Sequence, residues 1–154
     1  MHINLNFPGE PKAVQSVRFA RIGDFMRKYQ PKEVTEWKNW IRIQARQQLP
    51  QEFSLISDVG ISLRVSFEFT APKSWSKKKI AYLQSGAIIH KTTRPDLGDN
   101  LLKGLNDALT GIVWQDDGQI CEIRSRKVYG LAPQITMQIS TVLETEIQPT
   151  LFKL

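Results

Sequence analysis

Residues 61–70 read ISLRVSFEFT: Ile61, Leu63, Val65, Phe67 and Phe69 alternate with Ser62, Arg64, Ser66, Glu68 and Thr70. A two-residue period puts successive side chains on opposite faces, so this is a strand with one face in a core and one in water. Upstream, Ile3, Leu5 and Phe7 repeat the same alternation until Pro8-Gly9 ends it. Between these two strands, Val34, Trp37, Ile41, Ala45 and Leu49 recur at helical spacing after Pro31, and Pro50 stops the run. Lys38, Arg42 and Arg46 recur every four residues on that helix and read as a basic stripe. The stretch Lys12 to Lys28 has little periodicity and reads as a loop or irregular hairpin.

Downstream of the reference strand, APKSWSKKK (71–79) reads as a basic loop or helix start. A second helix is expected after Asp99, with Leu101, Leu102, Leu105, Ala108, Leu109 and Ile112 on one face. Asp99 suits its N-cap, and Gly111 its C-terminal end. Residues 119–129 and 134–143 read as two further strands after the turn Gln115-Asp116-Asp117-Gly118. The order β, loop, α, β, α, β, β implies a single compact α+β domain over residues 1–154, with a mixed or antiparallel sheet and about two main helices.

Composition narrows the chemistry. The 154 residues contain one cysteine, Cys121, and two histidines, His2 and His90, so neither an internal disulfide nor a Cys/His zinc site is expected. A metal would be held mainly by carboxylate oxygens, which suits Mg²⁺ or Mn²⁺. The start, MHINLNFPGEPK, lacks an apolar run of signal-peptide length. No run of about 18 apolar residues exists, so no membrane span is expected and the cytoplasm is the default location.

The net charge of +6 is unevenly distributed. Residues 1–94 hold sixteen Lys/Arg against seven Asp/Glu, whereas residues 95–123 hold only Lys103 against Asp96, Asp99, Asp107, Asp116, Asp117 and Glu122. A basic protein with one acidic block is suited to hold a polyanion on the first and cations in the second. The same block also reads as a solvated acidic helix. Asp99, Lys103 and Asp107, spaced i, i+4, i+8, would share one helix face, with Lys103 either approaching a phosphate or forming an ordinary surface ion pair. Asp116-Asp117-Gly118 by itself is a turn signal. Trp114 reads as core, and His90 as a structural histidine or a phosphate or metal contact. Cleavage of a phosphodiester by two metals needs carboxylates from both acidic groups, Asp96/Asp99 and Asp116/Asp117, to converge.

The segment HKTTRPDLGDNLLKGLNDALTGIVWQDDGQICEIRSRKVYG (90–130) resembles the core of RusA-type Holliday junction resolvases, whose pattern runs roughly H-x-x-K-P-D-x-D-N-L-x-K, then D-A-L-N-G-x-x-x-D-D-x-Q-I, then a basic strand. PKSWSKKK, GEPKAVQSVRF and KYQPKEVTEW are similar to further family segments in the same order. The resemblance, over roughly residues 5–143, implies a RusA-like fold and a homodimeric, Mg²⁺- or Mn²⁺-dependent endonuclease that cuts four-way DNA junctions by paired nicks. It implies Asp96, Asp99, Asp117 and Lys103 as catalytic and Asp96, Asp99, Asp116 and Asp117 as metal-binding, with Lys103 matching the lysine four residues after the second aspartate. Here both Leu97 and Gly98 intervene between Asp96 and Asp99, where the family pattern has one residue. On a strand this would turn the two carboxylates to opposite sides, so Gly98 is expected to absorb the extra residue in a bulge or at positive φ. Lys12, Arg18, Arg21, Lys38, Arg42, Arg46 and Lys77, Lys78 and Lys79 are candidate phosphate contacts; Arg124, Arg126 and Lys127 are placed to border the site. Two other functions remain open: a DNA-binding protein of this fold that has lost cleavage, and a nuclease for other branched DNA.

Overall fold

The computed structural model describes residues 1–14, 18–29 and 31–142. Five strands form one sheet in the order β1-β7-β4-β6-β5: β1 His2–Pro8, β4 Gly60–Thr70, β5 Ile89–His90, β6 Ile120–Gly130 and β7 Gln134–Val142. Neighbours are antiparallel except β4 and β6, which run parallel, so the sheet is mixed. A separate hairpin pairs β2 (Arg18–Ile22) with β3 (Phe25–Tyr29), resolving the basic N-terminal stretch as a hairpin.

The alternation in the sequence sets the two faces of the sheet. Leu5, Met137 and Val65 lie in one cross-strand row, and Phe7, Ile135 and Phe67 in the next. All six are buried, and the helices α1 (Lys32–Gln48) and α3 (Lys103–Leu109) cover them. Each such side chain removed from water contributes about 1.5–3 kcal/mol. The opposite face carries the rows Asn4, Gln138, Arg64, Arg124 and Asn6, Thr136, Ser66, Arg126. A third helix, α2 (Lys77–Gln84), starts at Ser76, whose hydroxyl accepts the Lys79 N–H.

The expected basic stripe on α1 is corrected in part. Lys38 is buried at 7% exposure and its ammonium lies 3.1 Å from Asp107 Oδ2 on α3. Arg42 Nε donates to the Ala108 carbonyl. Both cations face the α1–α3 contact and serve it rather than a phosphate; Arg46 alone of the three is exposed.

The start of the second helix also differs from expectation. It is wound from Leu97 as a π-helical turn, Leu97–Leu102, before continuing as α3. Asp96, with extended dihedrals, is the N-cap residue, and Asp99 lies inside the first turn. Gly98 is part of this turn and has no positive φ, so neither the strand bulge nor the left-handed glycine forms. The Leu101 N–H reaches back to the Asp96 carbonyl and the Lys103 N–H to that of Gly98, each spanning five residues. A π turn takes up one residue more than an α turn, which absorbs an insertion within the helix itself.

Candidate functional site

Helical winding changes the consequence of the extra residue. Positions three apart, divergent on a strand, lie on one side of a helix. Asp96 and Asp99 are therefore the cap and an inner residue of one turn, both exposed. Asp96 makes no side-chain cap hydrogen bond, which leaves its carboxylate free. Lys103 follows at the π-to-α junction, is exposed, and has no ion pair among the described residues. Its expected partner along the helix, Asp107, is instead taken by Lys38.

The loop leading to Asp96 is fastened to β6. Lys127 Nζ donates to the Thr93 carbonyl at 2.7 Å and to the Pro95 carbonyl at 2.6 Å. The Lys91 N–H donates to the Lys127 carbonyl, and Lys91 Nζ to Thr93 Oγ1. Charge-assisted bonds to two carbonyls of one loop fix the chain direction at Asp96. Beside this loop, Trp75 meets Tyr129 edge-on at 4.8 Å, with Lys79 Nζ 3.9 Å from the Trp75 ring centre. The tethering role of Lys127 was hidden in a run of basic residues on β6, where nothing in the spacing separates it from Arg124 and Arg126.

Asp116 and Asp117 form the other acidic group. Asp116 caps a 3₁₀ turn, Asp117–Gln119: its Oδ1 accepts the Gly118 N–H at 2.7 Å, and the Gln119 side chain returns to the Asp116 N–H. Gln119 Nε2 also donates to the Val59 carbonyl, fixing the turn beside the start of β4. Asp116 is thus partly spent on structure, and Asp117 is the exposed carboxylate with no such duty.

The two groups sit toward opposite ends of β6. Asp117 precedes the first residue of β6, while the Asp96 loop is tied to Lys127 near its far end. At about 3.3 Å per residue, Ile120 and Lys127 are about 23 Å apart along the strand. Among the described residues, no group of three or more His, Cys, Asp or Glu is arranged to hold a metal ion. Asp96 and Asp99 thus stand toward one end of β6, and Asp116 and Asp117 at the other. Each chain offers a pair of free oxygen donors at one end of β6 and a single free carboxylate at the other. The donor chemistry, all hard carboxylate oxygen, fits Mg²⁺ or Mn²⁺.

The open face of the sheet holds a cleft of about 830 Å³, lined by Arg64, Arg124, Arg126 and His90 together with amide and hydroxyl side chains. Among the described residues, no carboxylate lines it. Of the other candidate phosphate contacts, Lys12, Arg21, Lys77, Lys78 and Lys79 are exposed, and Arg21 lies 3.9 Å from Asp24. The side chain of Arg18 lies outside the described residues. Arg64 was legible only as one polar position of the reference strand. Trp114 is fully buried, with its Nε1 donating to Thr110 Oγ1, and is core as expected. His90, paired with Val128 in β5, is exposed at the cleft.

A family model described as endodeoxyribonuclease RusA matches residues 8–140. The chain belongs to the RusA family. Its RusA-like fold accounts for the order of motifs along the sequence, from the N-terminal strand through the acidic helix to the paired strands β6 and β7. An uncharacterized protein of Bacillus subtilis (strain 168), YqaN, is 28% identical over 134 residues, covering 87% of this chain and 92% of the relative. No helix of the described residues is long and apolar enough to cross a membrane.

Proposed function

We propose that this protein is a metal-dependent endonuclease that resolves four-way DNA junctions by paired nicks, acting in the cytoplasm as a homodimer of single-domain subunits in recombination and repair. The observation that carries this reading is the free carboxylate pair Asp96 and Asp99 on one helical turn, anchored by Lys127, in a member of a DNA endonuclease family. Asp96, Asp99 and Asp117 are the metal-binding and catalytic residues, with Asp116 positioning the turn of Asp117. They would hold a divalent cation, Mg²⁺ or Mn²⁺, which when bound would supply positive charge beside the scissile phosphate and acidify a water. Lys103, unpaired and exposed, is placed to meet negative charge growing on the phosphate. Lys77, Lys78, Lys79 and the other exposed cations, Lys12 and Arg21, hold the backbone without reading sequence, and Arg18 belongs with them as a proposal from sequence alone.

The test is a synthetic four-way junction incubated with Mg²⁺ or Mn²⁺, beside fork and flap substrates. Paired symmetric nicks by the parent protein, abolished by Asp99→Asn and by Asp117→Asn with junction binding retained, support the reading. Stronger cutting of forks or flaps would reassign the substrate. The inserted residue in the Asp96–Asp99 turn favours one second reading, a junction-binding protein without cleavage, which predicts binding and no nicks under either metal.

A further inference from the structure

The polar face of the sheet repels itself at its centre. Arg64 on β4 and Arg124 on β6 are direct cross-strand partners, both exposed, and Arg126 follows two residues along the same face. Like charges set opposite one another on neighbouring strands destabilise a sheet. None of the three arginines has an ion pair among the described residues. The carboxylates nearest in register do not relieve them. Glu122, at the next position of this face, makes no ion pair, and Glu68 accepts a bond from Gln134 Nε2 at 3.0 Å. Arg126 is held in place, its Nε donating at 3.1 Å to Ser66 Oγ on a serine only 8% exposed. All three arginines line the 830 Å³ cleft, together with His90.

We propose that this cleft binds the phosphodiester backbone of a DNA strand other than the one being cut, with Arg64, Arg124 and Arg126 as its phosphate contacts. This rests on the nuclease reading for the identity of the polyanion only. Side chains alternate along β6. Arg126 therefore enters the cleft, while Lys127, beside the buried Phe67, ties the Asp96 loop on the helix-covered side. The cleft and the carboxylate pair are thus served from opposite faces of one strand. DNA lying at Asp96 and Asp99 would have to cross to the other face to reach Arg64, whereas a branched substrate brings a second arm there.

The lining suits a chain of phosphates rather than a compact metabolite. Small-molecule pockets are lined mostly by apolar side chains. Here arginine, amide and hydroxyl groups lie across four neighbouring strands, β1, β7, β4 and β6, a span of about 14 Å. Guanidinium forks take phosphate oxygens two at a time, and Asn6, Thr136 and Gln138 add side chains that donate to further backbone oxygens. A phosphate between Arg64 and Arg124 turns their repulsion into a shared contact. The free protein carries that repulsion, and the bound strand removes it.

Three measurements test this. Binding to a synthetic four-way junction is followed in EDTA, where nothing is cut, at several salt concentrations. Arg64→Gln with Arg124→Gln should weaken it about tenfold or more and lower the slope of log affinity against log salt by about 2. In thermal unfolding of the free protein, Arg124→Gln ends the repulsion with Arg64 and should raise the melting temperature by about 1–3 °C. Arg46→Gln, which removes the same charge from α1, should not. Phosphates whose ethylation weakens junction binding by the parent but not by the double variant should lie on a strand that is not nicked. Unchanged affinity and slope in the double variant would overturn the proposal. So would an arginine-dependent stabilisation by inorganic phosphate with junction binding unaffected, which would give the cleft to a small anion. Cleft-dependent phosphates found only beside the nick would overturn the assignment to a second strand. If the parent binds junctions and nicks none, the nuclease reading fails while the arginine dependence still judges the cleft.

Discussion

The Lys127 ammonium lies 2.6 Å from the carbonyl oxygen of Pro95, one residue ahead of the carboxylate pair. A strand side chain thus fixes the backbone that presents Asp96. Replacing it with Lys127→Met removes two charge-assisted bonds from a half-buried position. Stability should fall by about 1–2 kcal/mol. The divalent-cation concentration for half-maximal nicking should rise about 10–100-fold, as for other groups that orient ligands from behind. Lys127→Arg should recover part of the loss. Urea unfolding and a metal titration of nicking read the two effects.

Lys38 and Asp107 predict an asymmetry. Asp107→Ala leaves the buried Lys38 ammonium without its partner and should destabilise the protein by about 1–3 kcal/mol, below the full cost of a buried pair because Asp107 is partly exposed. Lys38→Met keeps the packing of the side-chain stem and should cost less. The salt dependence of junction binding should not change for Lys38→Met, since that cation is buried against Asp107. Urea midpoints and binding at several salt concentrations check both statements.

Gly98 lies in the π turn without a positive φ, and a Cβ added there would meet nothing within 4 Å. Gly98→Ala should therefore stabilise the helix start by about 0.5–1 kcal/mol through lost unfolded-state freedom. A fall in melting temperature would contradict the helical reading of this insertion.

Gly104 behaves in the opposite way. A Cβ at that position runs into the side chain of Val14, whose Cβ would be 2.9 Å away, and lies 3.4 Å from Trp37. Helix propensity favours alanine by about 1 kcal/mol, yet overpacking costs more. Gly104→Ala should lower stability by a net amount of about 1–2 kcal/mol in thermal unfolding.

The neighbouring aspartates should separate cleanly. Asparagine caps a helical turn as well as aspartate, so Asp116→Asn should leave nicking within about threefold of the parent. Asp117→Asn removes a charge with no structural duty and should reduce nicking by about a hundredfold or more. Equal effects at the two positions would remove this division of roles. Single-turnover nicking assays measure the ratio.

What the sequence conveyed follows from periodicity. The alternation at Ile61–Thr70 and at Ile3–Phe7 specified strands and their buried faces, and the spacing of Val34, Trp37, Ile41 and Ala45 specified α1. Spatial order was not legible, because neighbour choice in a sheet depends on long-range packing; hence the parallel β4–β6 pairing emerged only in three dimensions. The π turn was missed because Gly98 reads equally well as a strand bulge or a helical residue. The acidic residues were identified as types and spacings, but Asp99 and Asp117 bracket a helix that runs away from one end of β6 and returns to the other. Lys38 read as solvent-facing because its partner, Asp107, lies on an element distant in the chain.

The parallel pairing of β4 with β6 has a kinetic side. Ile61 and Ile120 are neighbours in the sheet, yet the crossover that joins β4 to β6 takes in all of residues 71–119. That crossover contains Asp96, Asp99, Lys103 and Asp117, so the acidic segment is threaded before the central strands can close upon each other. Its closure entropy must be overcome before any of those contacts reward it, so the β4–β6 pairing is expected to form late in folding.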